Sequence, residues 1–172
     1  MRLQPKTVWV VVAFVVTAGL AADAGSAASP KPPPAWQRAA AKLKMPVFWP
    51  TDSAGMTLKG VVTKRLDCPK VVEELDASYA LPPGGGSRRT FAISEGRPYY
   101  CGNPGESSII ARPVVHGIRG TLTCDWVAAN RCSAETKAYP NLFWREQGVV
   151  IYMTGLPRKR LLDVAESMQA IP

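Results

Sequence analysis

The sequence predicts an α+β fold, a curved antiparallel sheet of about six strands with a C-terminal helix packed on it. Three observations predict this. Apolar and polar residues alternate over Val71–Leu81 and again over Val114–Cys124, as they do in half-buried strands. The tripeptide Glu146-Gln147-Gly148 separates two apolar segments, which is typical of a tight hairpin. Over Leu161–Met168 the apolar residues recur at helical spacing, which predicts an amphipathic closing helix.

The remaining elements follow from the same kinds of pattern. Short apolar segments bounded by Gly and Pro predict further strands over Leu58–Leu66, Arg88–Ser94 and Tyr99–Cys101. Met45–Pro50 is apolar but carries two prolines, so it fits the edge of a sheet better than its centre.

Length and composition limit the possible classes of protein. The chain has 172 residues, with 21 Lys and Arg, 13 Asp and Glu, one His and four Cys. This length accommodates one ordinary domain and a short appendage. A single His and the absence of closely spaced Cys and His argue against most metal sites and many acid–base enzymes. We therefore predict no metal, no cofactor and no catalytic residues.

The N-terminal residues predict export. Arg2 and Lys6 precede an apolar segment, Thr7–Ala22, and small residues follow it. Sixteen helical residues span about 24 Å, which is short for a bilayer core of roughly 30 Å. The pattern is typical of a secretory signal peptide over residues 1–28, with an uncleaved membrane anchor as the alternative. The protein is predicted to be secreted or extracytoplasmic.

A spacer and a short helix, residues 29–44, separate this segment from a single predicted domain, residues 45–172. Ser29–Pro34 is rich in proline and predicts a stiff extended spacer. Ala35–Lys44 predicts a helix with an apolar face that includes Trp36 and Ala39. This helix either docks on the domain or presents three cations to anions, namely Arg38, Lys42 and Lys44.

The charge balance suggests anionic partners. Removal of residues 1–28 leaves 19 basic and 12 acidic residues. A basic exported protein meets anionic lipid, anionic wall polymers or acidic proteins before it meets nucleic acid, so nucleic acid is not an expected partner. An ordinary soluble basic surface is the alternative. The sequence does not determine the oligomeric state.

Four cysteines in an exported chain suggest two stabilising disulfides. Cys124–Cys132 would close a short loop and leave Cys68–Cys101, although three connectivities are possible. No Cys-x-x-Cys pair is present, so a zinc site is disfavoured.

The C-terminal third resembles the lipoprotein-carrier and sigma-regulator-like sensor domains of exported bacterial proteins of unknown function. The resemblance covers residues 110–170 and depends on a hairpin with Trp144, Gly148 and Tyr152, followed by a helix that contains Ala165-Glu166-Ser167-Met168. It implies a non-enzymatic binding or sensing module built on an antiparallel sheet around a helix or an apolar groove. No catalytic residues come with it.

One departure from that resemblance suggests a binding site. Arg158, Lys159 and Arg160 occupy the first turn of the closing helix, where cations oppose the helix dipole at a cost of roughly 1 kcal/mol together. We predict that these three residues form an anion-binding patch, with simple solvation as the alternative.

Candidate groups for catalysis are few. His116 falls on the apolar phase of its predicted strand, so we interpret it as a buried structural histidine. Glu95, Glu106 and Asp125 would form a carboxylate pair only if the fold brought two of them together. The sequence thus favours a secreted, non-catalytic binding or sensor-type module for anionic or amphiphilic ligands of the cell envelope. The alternative is a small secreted hydrolase or a protease inhibitor that uses the loop Leu81–Ser87.

Overall fold

A computed structural model describes residues 30–67, 71–82, 90–96, 107–125 and 139–172. The first half contains one helix and four strands, which are α1 (Pro34–Ala40), β1 (Phe48–Pro50), β2 (Thr57–Asp67), β3 (Val71–Ala80) and β4 (Thr90–Gly96). The second half begins with four strands, β5 (Ser107–Ala111), β6 (Val114–Val115), β7 (Ile118–Arg119) and β8 (Thr121–Asp125). It ends with β9 (Asn141–Glu146), β10 (Val149–Thr154), α2 (Arg158–Glu166) and β11 (Met168–Ala170).

Seven strands form the main sheet, in the order β2-β3-β4-β10-β9-β8-β5, and every neighbouring pair is antiparallel. The contact between β4 and β10 joins the two halves of the chain, with Ile93 opposite Met153. The predicted α+β class is confirmed, with seven strands rather than about six. The strands predicted over Leu58–Leu66 and Val71–Leu81 are confirmed as β2 and β3.

One face of this sheet carries the core, and we call it the inner face. Alternate residues of each strand point into it, for example Phe91 and Ile93 of β4 with Ile151 and Met153 of β10, all fully buried. Both helices contribute to the same apolar cluster, through Trp36 and Ala39 of α1 and through Leu161, Val164 and Ala165 of α2. The closing helix is therefore packed on the sheet, as the sequence predicts.

The end of α2 differs from the sequence prediction. The apolar spacing places Met168 in the helix, but α2 ends at Glu166 and Met168 begins β11. This strand pairs with β1, with Phe48 opposite Ala170, and the amide of Ile171 donates to the carbonyl of Val47 at 2.8 Å. The chain leaves the helix because these backbone groups find partners in β1, which no local pattern can show. The proline-containing segment around Pro50 is indeed a short edge element.

The prediction of one continuous strand over Val114–Cys124 is wrong. The chain makes a small hairpin of β6 and β7 and continues into β8 after Gly120. His116 and Gly117 form its turn, both with positive φ, 50° and 76°. Left-handed backbone at two successive residues is the geometry of a two-residue hairpin turn, and glycine at the second position permits it.

Two further strand predictions have different outcomes. Gln147-Gly148 forms the predicted hairpin between β9 and β10, with φ of 47° and 79°. The strand predicted over Tyr99–Cys101 lies outside the described residues. The predicted helix over Ala35–Lys44 begins one residue earlier, at Pro34, and ends at Ala40.

Candidate functional site

A cleft of about 300 Å³ lies between α1 and the edge strand β2. We call it the basic cleft. Two of its lining residues are cations, Arg38 and Lys42, and none is acidic. The others are small or apolar, namely Ala35, Ala39, Val61, Val62 and Thr63. Both Arg38 and Lys42 are exposed. The cleft therefore presents a mainly polar, positively charged surface with a smaller apolar part, in a position open to solvent.

The sequence builds one wall of this cleft through the two faces of α1. Proline at the first helical position fits the start of the helix. Trp36 is fully buried, and its indole N–H donates to the hydroxyl of Tyr79 on β3 at 3.1 Å. That contact fixes the rotation of the helix, so Arg38 lies on its exposed side, and Lys42, in the turn that follows the helix, is exposed as well. For this helix the sequence left docking and anion contact as alternatives; one face of α1 docks, and Arg38 on the other face is exposed.

The opposite wall is the edge strand β2. Val61 packs against the core, whereas Val62 is 55 % exposed. A register shift between Leu58 and Gly60 marks an irregularity in the pairing with β3. Further along the strand, Lys64 is ion-paired with Asp76. The exposed Val62 contributes apolar surface to a cleft that also contains two cations. Sequence reasoning missed this wall because Val61 and Val62 are adjacent and both apolar, so the sequence does not show which of them is exposed.

A second cluster of polar groups surrounds the chain's single histidine. Nδ1 of His116 lies 2.9 Å from Oε2 of Glu146, and the indole N–H of Trp144 donates to the same oxygen at 3.0 Å. Nε2 of His116 lies 3.1 Å from the backbone carbonyl oxygen of Glu166, in the last residue of α2. We call these four residues the His116 cluster. It joins the β6–β7 hairpin, the end of β9 and the C-terminus of α2.

The surroundings raise the pKa of His116 above its usual value of 6.5. Partial burial by itself lowers the pKa, because it disfavours the charged ring. The hydrogen bonds to the Glu146 carboxylate and the Glu166 carbonyl, together with the charges of both glutamates, outweigh that effect. Both nitrogens face acceptors, so the doubly protonated ring satisfies both contacts.

The geometry corrects the interpretation of His116 as a buried strand residue. Its side chain is 22 % exposed and lies at a hairpin turn. Because both ring nitrogens are engaged, neither is available in this arrangement to take a proton from a nucleophile. The Val-Val-His-Gly-Ile sequence contains a two-residue turn signal of the same X-Gly form as Gln147-Gly148, and that signal could have found the turn.

Glu95 occupies a different environment, on the inner face between Leu75 of β3 and Ile151 of β10. It is fully buried, and its Oε2 accepts the amide N–H of Phe48 at 3.0 Å. Oε1 has no hydrogen-bond partner among the described residues. Burial raises the pKa of Glu95 to about 8, against the smaller opposing effect of the Phe48 hydrogen bond. This carboxyl is therefore neutral at neutral pH, and it ties β1 to the main sheet.

The carboxylate pair proposed from the sequence cannot be assembled from the described groups. Glu106 and the side chain of Asp125 lie outside them, so only Glu95 can be placed. Most of the loop Leu81–Ser87 also lies outside the described residues. Across the part of the chain that is described, no three potential metal ligands come together.

The three cations at the start of α2 have separate surroundings. Arg160 is partly buried and donates to the carbonyl of Ala54 at 2.7 Å. Lys159 forms an i to i+4 ion pair with Asp163 at 3.4 Å. Arg158 is exposed. The Arg160 contact secures the helix to the turn after β1, which gives that cation a structural partner.

The cysteine prediction stays open. Cys124 is 2 % exposed in β8, while Cys68, Cys101 and Cys132 lie outside the described residues. Within the described ranges, neither α1 nor α2 is long and apolar enough to cross a membrane.

Comparisons with protein families, curated proteins and solved structures found no match to this chain. The resemblance to sensor domains therefore stays a hypothesis based on the Trp144–Met168 motif alone. The functional argument depends on the geometry of the chain's own residues.

Proposed function

We propose that this protein is a non-catalytic binding module of the export compartment, and that it holds an anionic amphiphile in the basic cleft. The observation that carries the proposal is the lining of that cleft. Arg38 and Lys42 line it, no acidic residue does, and Ala39, Val61 and Val62 supply the smaller, apolar part of its surface. Opposite charge beside an apolar wall is the complement of a ligand with an anionic head and an alkyl chain.

Each wall has a distinct part in this proposal. The planar guanidinium of Arg38 can donate two parallel hydrogen bonds to a phosphate or carboxylate, and the ammonium of Lys42 adds a flexible point charge. The alkyl chain lies against the exposed side chain of Val62 on β2. A volume of about 300 Å³ is at the lower end for ligand pockets, so the cleft fits a head group and the first carbons of a chain.

The arrangement of His116 supports a non-catalytic role. A hydrolase that used this histidine would have to break its contact with the Glu166 carbonyl before Nε2 could act as a base. That contact also holds the C-terminus of α2, so catalysis would disturb the fold around the helix. The alternative of a small hydrolase predicts turnover that His116→Asn abolishes.

We also propose that the protein is exported, that its sheet is curved and that it contains two disulfides. Basic charge, four cysteines and the apolar segment Thr7–Ala22 support an extracytoplasmic location. The mass of the exported protein tests it directly. Loss of residues 1–28 and of four hydrogens is expected, whereas four free thiols would contradict the disulfides and the location together.

Calorimetric titration with dodecyl phosphate, a soluble single-chain amphiphile, tests the binding site. We expect saturable binding that weakens at least tenfold in the double variant Arg38→Gln/Lys42→Gln, because both charged contacts to the head group are lost. The matched control is Arg158→Gln/Lys159→Gln, which removes the same charge from α2 and should bind as the unaltered protein does. Equal weakening in both variants would contradict a site in the basic cleft, and would favour either the α2 patch or net charge.

A further inference from the structure

We propose that the anionic group recognised by the basic cleft is the head group of a lipid in a bilayer, so that the protein docks on an anionic membrane surface through α1 and β2. This inference rests on the proposed function, since it uses the same cleft. It goes further by naming the partner as an assembled lipid surface rather than a dissolved molecule.

The distribution of charge along the described chain supports such a surface. Residues 30–67, which include α1 and β2, contain seven basic and two acidic residues. The other described ranges contain six basic and eight acidic residues. Among the described residues the excess of positive charge therefore lies in the part of the chain that forms the cleft, and the residues after position 28 that lie outside the described ranges add six basic and two acidic side chains. A one-sided distribution of this kind orients a protein toward an anionic surface.

The cations of this region are available to such a surface. Lys31 and Lys59 are exposed, as are Arg38 and Lys42. Lys64 is already paired with Asp76, so we do not count it toward the docking surface. Each cation near an anionic bilayer contributes about 1 kcal/mol, so Arg38 and Lys42, which line the cleft, contribute about 2 kcal/mol together.

Apolar surface lies at the same position. Val62 is one of three large apolar side chains exposed above half of their area among the described residues, and it alone of these lines the cleft. Val62 lies opposite Asp76, whose carboxylate is paired with Lys64, so the exposed valine can enter the boundary between head groups and acyl chains. The cleft volume of about 300 Å³ accommodates a head group but not two acyl chains, which therefore stay in the bilayer.

Co-sedimentation with vesicles of equal size tests this inference, with the full chain as it is exported. One vesicle preparation contains phosphatidylglycerol and phosphatidylcholine in equal amounts, and the other contains phosphatidylcholine alone. Binding to the zwitterionic vesicles measures every contribution except lipid charge. We expect stronger binding to the anionic vesicles, weakened about 30-fold by Arg38→Gln/Lys42→Gln because two cations of about 1 kcal/mol each are lost.

The matched variant Arg158→Gln/Lys159→Gln has the same net charge as the cleft variant and should bind anionic vesicles as the unaltered protein does. Equal loss in both variants would overturn the inference, because binding would then follow net charge alone. Binding of dodecyl phosphate without a preference for anionic vesicles would also overturn it, while leaving the proposed function intact. Failure to bind either probe would overturn both proposals.

Discussion

Two glutamates on the inner face of the sheet differ in their burial and in their hydrogen-bond partners. Glu95 lies at the centre of the sheet, fully buried, with one oxygen bonded to the amide of Phe48 and the other without a partner among the described residues. Glu146 lies at the end of β9, 15 % exposed, and one of its oxygens accepts from both Trp144 and His116. The central carboxyl is isolated, whereas the peripheral one organises a cluster.

The difference shows that the position of a glutamate in the sheet determines whether its charge can stabilise a neighbouring group. At the centre, lost hydration raises the pKa of Glu95 to about 8, and a single hydrogen bond does not offset that effect. At the periphery, the charge of Glu146 raises the pKa of a neighbour, His116. Both shifts make the folded state bind protons more readily than the unfolded chain, so both favour the fold in mild acid.

Glu95→Gln should have the largest effect and would remove one side of this comparison. The folded pKa of about 8 exceeds the ordinary value of 4.5, so the stability linked to Glu95 is fully present below pH 4.5 and is lost as pH rises through 8. This loss amounts to about 3 kcal/mol between pH 4.5 and pH 7. Glutamine keeps an acceptor for Phe48 and does not titrate, so the variant should lack this slope.

Urea unfolding at pH 5 and pH 7 measures this effect, with the midpoints of the two proteins compared at each pH. The variant should be close to the unaltered protein at pH 5 and more stable at pH 7. Equal slopes in the two proteins would show that Glu95 is ionised in the fold already, and would remove the contrast with Glu146.

His116→Asn tests the Glu146 half of the comparison, because it removes the ring that contacts Glu146. We expect an intermediate effect on stability. Asparagine tolerates the positive φ at this turn, so the variant loses the ring contacts without a large backbone cost. Because the folded pKa of His116 is raised, its contribution is fully present below pH 6.5 and is lost as pH rises through the folded value. We expect a destabilisation of about 1–2 kcal/mol at pH 5.5 and a smaller one above pH 8.

The matched control is Gln147→Asn, at the first position of the β9–β10 turn. Gln147 also has positive φ, and its side chain is exposed. Thermal unfolding of both variants at the two pH values should show a pH-dependent loss for His116→Asn alone. The same loss in both variants would assign the effect to the turn backbone instead of the His116 cluster.

Trp144→Phe should have the smallest effect on the pH dependence of stability. The substitution keeps an aromatic ring in the core and removes the indole N–H that donates to Glu146. The lost hydrogen bond costs about 0.5–1 kcal/mol, and the volume that the smaller ring leaves unfilled at this buried position adds to that cost at every pH. Titration of His116 followed by NMR should still give a raised pKa, because the His116–Glu146 contact remains. A return of that pKa to its ordinary value would show that Trp144 positions the carboxylate.

Local pattern predicted most of the sheet, and its errors have a common cause. The alternation in β3 and the Gln147-Gly148 turn indicated correct elements because each depends on neighbouring residues alone. The errors at His116 and at Met168 concern residues whose contacts are made with distant parts of the chain, although the turn at His116 and Gly117 also has a local signal. His116 meets Glu166, which is 50 residues away in the sequence, and Met168 pairs with β1. Spacing along the chain contains no information about such partners.

The candidate sites also combine local features, which the sequence shows, with contacts between distant residues, which it does not. The sequence supplied the cations of α1 and suggested that they contact anions, but it could not show that Val61 and Val62 form the facing wall. It predicted that Arg158, Lys159 and Arg160 act together, whereas Arg160 bonds to the carbonyl of Ala54, which is 106 residues away. The anion-binding patch on α2 stays a prediction that the paired charge variants test.

The sequence by itself determined the α+β class, the closing helix and the excess of positive charge between residues 30 and 67, because periodicity and composition are properties of the chain. Only the tertiary structure decided that Glu95 is neutral in the core, that both nitrogens of His116 are engaged, and that two cations share a cleft with Val62. These properties depend on desolvation and on distances between groups far apart in the sequence. Both arise only when the sheet brings its strands together.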